Sequence, residues 1–140
     1  MLVDQIIHGI NEGGIAPFYF LYGPESFYRV EIIRALNQKL ITSDNRDFNL
    51  ENFEARESSV GDWIGAAKTL SFLGGTKLII VRNLHETTLE DSDQKILLEY
   101  IAGPGLDSCL VITADKADQK RKLYKNLITQ QGALSCEAPK

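Results

Sequence analysis

The sequence predicts an α/β fold built on an open, five-stranded parallel sheet with helices on both faces. Short runs of β-forming residues alternate with segments of helical periodicity along the whole chain, the pattern of parallel strands joined by crossover helices. With 140 residues, 44% of them hydrophobic, the chain has the size of one domain with one sizeable core. Repeats and low-complexity segments are absent from the sequence. Residues 1–140 are therefore expected to form a single domain.

The individual elements follow from hydrophobic periodicity and from the turn residues between them. The predicted strands cover residues 18–22, 48–53, 78–81, 109–112 and 133–136. The predicted helices cover residues 3–10, 30–41, 60–70, 89–101 and 123–128. Residues 78–81 give the clearest strand signal because they are continuous, short and rich in β-branched side chains. Ser58 or Ser59 is expected to cap the third helix, and Gly74-Gly75 to close the segment after it.

Composition narrows the classes of function. A formal net charge of -4 argues against a surface that neutralises nucleic-acid phosphates, which needs clustered excess lysine and arginine. Cys109 and Cys136 lie in apolar stretches without metal-ligand spacing, so buried free thiols are expected. No stretch approaches the roughly 20 apolar residues of a membrane span, and the N-terminus lacks the pattern of a secretory signal. These features favour a cytoplasmic protein without membrane contact.

The turn after the first predicted strand is where such a sheet would carry a phosphate-binding loop. A Walker A motif needs a second glycine, a lysine for the terminal phosphates and a hydroxyl for magnesium. Counted from Gly23, these positions hold Tyr28, Arg29 and Val30. Tyr28 places bulk where backbone must approach phosphate, and Val30 offers no oxygen to a metal. The loop is therefore predicted to be degenerate, and no cofactor is expected.

The second nucleotide-handling element, an acidic residue after a hydrophobic strand, should follow residues 78–81. Arg82 and Asn83 stand there instead, so a cation replaces the carboxylate that would position magnesium or activate water. Alternatively, the fold never bound nucleotides and Gly23-Pro24 is an ordinary turn. Both interpretations predict no ATP turnover.

Other catalytic or metal-binding constellations are not recognisable. His8 and His85 are the only histidines, and neither stands in a motif with a serine, a cysteine or a second ligand. Both are expected at the surface. An acidic cluster is formed by Glu90, Asp91 and Asp93. It is expected to begin a helix, where carboxylates interact favourably with the helix dipole. We therefore expect no metal site and no catalytic residue.

Several stretches, taken together in chain order, resemble the delta subunit family of bacterial DNA polymerase III. They are Tyr22–Phe27 (YGPESF), Asp47–Leu50 (DFNL), Leu70–Lys77 (LSFLGGTK), Arg82-Asn83, and Asp118–Lys125 (DQKRKLYK). The last of these is similar to the family's basic helix after its fourth strand. These stretches together cover nearly the whole chain. The resemblance rests on all of them in this order and on the absence of both nucleotide-binding elements.

The resemblance implies a RecA-like AAA+ core that has lost ATP binding and binds the sliding clamp instead. It places the chain in the clamp loader of a DNA-directed DNA polymerase holoenzyme, a nucleotidyltransferase complex of bacterial DNA replication. The implied partners are the beta clamp and the loader subunits delta prime and gamma/tau, with DNA contacted only indirectly. The family's lid and collar domains do not fit in 140 residues. The chain, which ends at Pro139-Lys140, is expected to be the clamp-binding domain alone.

In the family, a hydrophobic pair near the end of the helix before the third strand inserts into a pocket on the clamp. Leu70, Ser71, Phe72 and Leu73 stand at that place, so the resemblance implies that they bind the clamp. Ser71 interrupts a plain Leu-Phe pair, which leaves two versions, Phe72 with Leu73 or Leu70 with Phe72. The alternative is that Phe72 and Leu73 close the core beneath the glycine turn.

One basic cluster is present after the fourth strand. Its members are Lys116, Lys120, Arg121, Lys122 and Lys125. It is interpreted as a solvated helix face because Asp115 and Asp118 dilute its charge; contact with a subunit or with DNA phosphates is the alternative. Two other functions stay open, namely a small nucleotide-binding enzyme or regulator with an unusual loop, and a generic interaction domain on a RecA-like scaffold.

Overall fold

Strands and helices alternate along the chain in the predicted order. A computed structural model describes residues 2–105 and 107–137, so Pro139 and Lys140 lie outside the described residues. The strands are β1 Phe18–Tyr22, β2 Leu50–Glu54, β3 Lys77–Arg82, β4 Ser108–Ala114 and β5 Ala133–Ser135. The helices are α1 Leu2–Asn11, α2 Ser26–Leu40, α3 Arg46–Asn49, α4 Val60–Lys68, α5 Asp91–Ala102 and α6 Lys122–Leu127. Short 3-10 turns at Ala55–Glu57 and Leu84–Glu86 follow β2 and β3.

The five strands form one parallel sheet in the order β2-β3-β4-β1-β5. The prediction of an open, five-stranded parallel sheet is therefore confirmed. Because all strands run the same way, residues that follow β1, β3 and β4 meet along one side, which we call the carboxyl edge. Residues that precede β3 and β4 meet on the opposite side, which we call the amino edge.

Helices cover both faces of the sheet, as predicted. On one face, α1 and α2 bury Ile10, Ile32 and Leu36 against the strands. On the other face, α4, α5 and α6 bury their apolar sides, and fully buried Trp63 donates a hydrogen bond from Nε1 to Ser58 Oγ at 2.8 Å. Because helices cover both faces, the three inner strands, β3, β4 and β1, are continuous apolar runs.

The third predicted helix, α4, begins as expected but ends earlier. Ser59 caps it through a reciprocal pair of hydrogen bonds with Asp62, at 2.9 and 3.1 Å. The helix stops at Lys68 because Thr69 adopts an extended backbone, so the prediction that Leu70 belongs to it is wrong. Leu70 instead opens the loop that leads to β3.

Two further boundaries differ from the prediction. Phe48 was expected in the second strand but lies in the short helix α3. Reciprocal hydrogen bonds between Thr42 and Asn45 turn the chain just before that helix. The basic helix expected over Asp118–Lys125 begins only at Lys122, because residues 118–121 form a turn closed by the Arg121 N–H and the Asp118 carbonyl.

Cys109 and Cys136 are buried free thiols, as predicted. Burial raises the pKa of the Cys109 thiol to about 12 and that of Cys136 to about 11. Both thiols are therefore protonated at neutral pH and are poor nucleophiles and metal ligands. Within residues 2–105 and 107–137, no helix is long and apolar enough to cross a bilayer, and no three acidic, histidine or cysteine side chains cluster as metal ligands would.

Candidate protein-interaction site

The loop from α4 to β3 projects from the amino edge of the sheet and carries three exposed apolar side chains. We call Leu70–Leu73 the tip. The exposed fractions are 88% for Phe72, 70% for Leu70 and 50% for Leu73. The alternative in which Phe72 and Leu73 close the core is therefore wrong. Since large apolar side chains clustered at the surface mark interaction sites more often than isolated ones do, the tip is the first candidate for a binding element.

A buried asparagine holds the tip from below. Asn49, the last residue of α3, is fully buried. Its Nδ2 donates to the Gly74 carbonyl at 3.0 Å, and its Oδ1 accepts from the Ser71 hydroxyl. Ser71 Oγ in turn accepts from the Leu73 N–H at 3.2 Å. One side chain therefore ties both ends of the turn that presents Phe72, and Ser71 is part of this support.

The end of α4 is fixed at the same edge. Buried Lys77, the first residue of β3, donates from Nζ to the Ala66 carbonyl at 2.8 Å and pairs with Glu51 at 2.9 Å. The Ser108 hydroxyl donates to the Ala67 carbonyl at 2.6 Å. These donors add side-chain hydrogen bonds to carbonyls of the last helical turn, where the intrahelical pattern ends. Side-chain hydrogen bonds therefore hold the chain both before and after the tip.

A second aromatic side chain lies beside the tip. Phe48 is 50% exposed, and its ring centroid is 6.1 Å from that of Phe72, with 32° between the ring planes. Between α3, α4 and the tip runs a groove of ≈ 720 Å³ whose lining includes Phe48, Phe53, Leu70 and Phe72, together with Asp47, Glu51 and Asp62. The apolar surface is therefore wider than the four residues singled out in the sequence.

The carboxyl edge holds the loop that was compared with a Walker A motif. Gly23 has φ +123°, and a Cβ there would lie 2.3 Å from the Cys136 carbonyl oxygen. The Arg29 guanidinium donates to the Gly23 carbonyl and pairs with Asp115 at 2.9 Å. The side chain of Arg29 is only 12% exposed. Its charge is thus already neutralised within the chain.

The N-terminus of α2 already has an anionic partner. The Glu25 carboxylate accepts the Phe27 N–H at 3.0 Å and caps the helix. A phosphate would seek these same N–H groups and the same positive end of the helix dipole. Farther along α2, the side chain of Val30 is half-exposed and carries no oxygen. The loop therefore places a carboxylate where a phosphate cradle would need free donors.

The residues after β3 are engaged with their neighbours. Arg82 donates from Nη1 to Asn52 Oδ1 at 2.6 Å. Asn83 has a left-handed backbone, with φ 65°, and donates from Nδ2 to Glu54 Oε2 at 3.0 Å. His85 was expected at the surface, but its side chain is only 16% exposed and its Nδ1 accepts the Asp115 N–H at 3.0 Å. That expectation is wrong for His85, because the imidazole joins β4 to the 3-10 turn; His8 is exposed, as expected.

Comparisons with known proteins show the family to which this chain belongs. The family profile described as DNA polymerase III, delta subunit, matches residues 19–137. The chain belongs to this family. The delta subunit of DNA polymerase III from Bacillus subtilis (strain 168) is 31% identical over 90% of this chain and 39% of its own length. The solved structure of the Bacillus subtilis DNA clamp loader delta protein superposes with a TM-score of 0.84, at 27% identity, covering 96% of this chain and 42% of that one.

More distant structures share the fold of the delta-family chain. A gamma subunit-related protein of DNA polymerase III from Thermotoga maritima has a TM-score of 0.65 at 9% identity, covering 99% of this chain and 46% of its own. Thermotoga maritima RuvB has a TM-score of 0.61 at 14% identity, covering 97% and 43%. These two likenesses concern the fold alone, and they agree with the RecA-like core that was predicted. The chain spans about two fifths of the length of the Bacillus delta proteins.

The four lysines of the basic cluster are exposed and Arg121 is partly buried, and the cluster does not form one helix face. Lys116 and Lys120 lie in the loop after β4, whereas Lys122 and Lys125 lie on α6. Arg121 is positioned with its guanidinium 5.8 Å from the centroid of the Tyr124 ring. The expected solvent exposure is therefore confirmed for the four lysines, whereas the expectation of a single helix face is wrong.

Proposed function

We propose that this delta-family domain binds a sliding clamp through the tip and helps to open the ring for loading onto DNA. The observation that carries the proposal is the Phe72 side chain, 88% exposed and flanked by Leu70 and Leu73. Its Bacillus subtilis relative is described as a DNA clamp loader delta protein. An exposed aromatic anchor that enters a pocket on a partner is the usual form of an interface hot spot.

The hydrogen bonds beneath the tip suit this role. Asn49 and Ser71 fix the turn before any partner arrives, so less conformational entropy is lost on binding. A preorganised anchor can bind a distorted clamp interface more tightly than the closed one, and this difference in affinity offsets the strain of ring opening. The step needs no hydrolysis in this chain.

We also propose that this chain binds no nucleotide and is an accessory subunit rather than a catalyst. Arg29 is paired with Asp115, and the carboxylate of Glu25 caps the helix that a phosphate would require. ATP would act elsewhere in the loader and control whether the tip can reach the beta clamp. DNA would be contacted indirectly, through the clamp.

The test is the affinity of the Phe72→Ala variant for the sliding clamp of the same organism, measured by surface plasmon resonance. Removal of the anchor is expected to cost about 2 kcal/mol of binding free energy or more, which is roughly a thirtyfold loss of affinity. The thermal unfolding midpoint should not fall, because the ring makes little contact with the core.

Phe27→Ala is the matched control, since Phe27 is also a phenylalanine exposed at the surface, at 60%, but lies at the carboxyl edge. Its affinity for the clamp should equal that of the parent chain. If Phe72→Ala binds as tightly as the parent, or if both variants weaken equally, the tip is not the anchor.

A further inference from the structure

A second surface, independent of the tip, lies at the carboxyl edge. It is a cleft of ≈ 360 Å³ between α2 and the ends of β3 and β4, and Arg29, Arg34 and Arg82 line it. We call it the arginine cleft. None of the 19 acidic residues of the chain is among its lining residues, although acidic residues outnumber basic ones overall. Its volume falls in the range of ligand sites, roughly 300–1,000 Å³.

Two of the three guanidinium groups have unused hydrogen-bonding capacity. Arg82 donates to the neutral amide of Asn52 at 2.6 Å and makes no salt bridge with any described residue. Arg34 pairs with Glu31 only at 3.7 Å, with its side chain 61% exposed. Because a guanidinium presents a fork of donors that matches an anionic group with two or more oxygens, these two residues select for an anion.

An unpaired acceptor lies in the same lining. The side-chain oxygen Oδ1 of Asn37 is buried and has no hydrogen-bond partner, an arrangement that native proteins rarely leave unsatisfied. An N–H or O–H donor that reached it from the cleft would satisfy it. The apolar side chains of Val30 and Ile33, also on α2, line the same cleft. A suitable ligand therefore combines an anion, a donor and an apolar group.

A peptide fits these three requirements better than a phosphate does. An ionised phosphate brings no donor for the unpaired Asn37 oxygen, and the Phe27 N–H at the start of α2 is already bound to Glu25. An aspartate or glutamate side chain can meet the arginines while a backbone N–H of the same segment reaches Asn37. A neighbouring apolar side chain can lie on Val30. We propose that the arginine cleft binds a short acidic peptide segment of a neighbouring protein.

The test is a titration of the ¹⁵N-labelled chain with N-acetyl-Leu-Glu-Leu-amide, followed by NMR. The Nε–H signals of Arg34 and Arg82 and the side-chain amide of Asn37 should shift together. N-acetyl-Leu-Gln-Leu-amide, which lacks only the charge, should shift them far less. Arg34→Gln and Arg82→Gln should each weaken binding of the glutamate peptide about tenfold, the range of a charge-assisted hydrogen bond.

Arg56→Gln is the matched control for Arg34→Gln. Arg56 is 62% exposed and pairs with Glu86 at 3.6 Å, but it does not line the cleft. Its variant should bind as the parent does. Equal binding of the two peptides, or an equal loss in Arg56→Gln, would overturn the proposal. So would inorganic pyrophosphate shifting these signals while the glutamate peptide does not, since the cleft would then be a phosphate site.

Discussion

The two edges of the sheet differ in where their polar groups lie. At the amino edge the exposed side chains of the tip are apolar and the side chains beneath them are polar, with Phe72 outside and Asn49 buried. At the carboxyl edge the charged groups around the loop that was compared with a Walker A motif satisfy one another, as Arg29 and Asp115 do. The difference shows that buried hydrogen bonds can hold an apolar side chain outward, whereas charged side chains that pair with one another leave fewer free donors for an anionic ligand.

The largest loss of stability is expected from Gly23→Ala, a substitution at the carboxyl edge. Its Cβ would lie 2.3 Å from the Cys136 carbonyl at a φ of +123°, so backbone strain and overlap should together cost about 3 kcal/mol of unfolding free energy. Gly74→Ala, at a φ of +77° with open space around the Cβ, should cost only about 1 kcal/mol. Urea denaturation measures both, and equal losses would contradict the difference in packing between the edges.

A smaller effect, confined to the amino edge, is expected from Asn49→Ala. The variant leaves the Ser71 hydroxyl and the Gly74 carbonyl without their partner, and the expected loss is about 2 kcal/mol of unfolding free energy. Hydrogen exchange of the amides at 73–75 should accelerate, and affinity for the clamp should fall although Phe72 is intact.

Asn52→Ala is the control, since Asn52 is exposed and only accepts from Arg82 at the other edge. It should leave the exchange of residues 73–75 unchanged. If Asn49→Ala also leaves it unchanged, the tip is ordered without its buried support.

The smallest effect is expected from Arg29→Met at the carboxyl edge. The lost partner, Asp115, is 55% exposed, so water replaces much of the interaction and the expected loss is about 1 kcal/mol of unfolding free energy. Calorimetry with ATP and magnesium should give no heat of binding for either the parent or the variant, because Glu25 still caps α2. Binding of ATP to the parent would show that the carboxyl edge is a nucleotide site and would contradict the proposal.

Most of the fold could be predicted because its strands are short, apolar and covered on both faces. The run Leu78–Val81 is short and rich in β-branched side chains, and these two properties favour a buried strand over a helix segment. The errors lie where local hydrogen bonds override periodicity. Phe48 and Leu50 alternate as in a strand, yet the turn formed by Thr42 and Asn45 directs Phe48 into a short helix.

The site was less predictable than the fold. The position of the tip came from a resemblance, and hydrophobicity alone would place Phe72 in the core. Its support could not be predicted, because the bond from Asn49 to Gly74 joins residues 25 positions apart in the chain, and no spacing in a single sequence indicates it. The arginine cleft was also missed, since Arg34 and Arg82 come together only when α2 packs beside the end of β3.

The outer strands of the sheet bear on how this molecule behaves in concentrated solution. An uncovered strand offers unpaired backbone groups to another copy, which can start fibril-like stacking. Here β2 carries Glu51 and Glu54 and ends in a 3-10 turn, and β5 is only three residues long. The carboxylates on β2 and the shortness of β5 both oppose the addition of a further strand. A second copy that contacts the exposed Phe72 therefore finds little free backbone with which to extend the sheet.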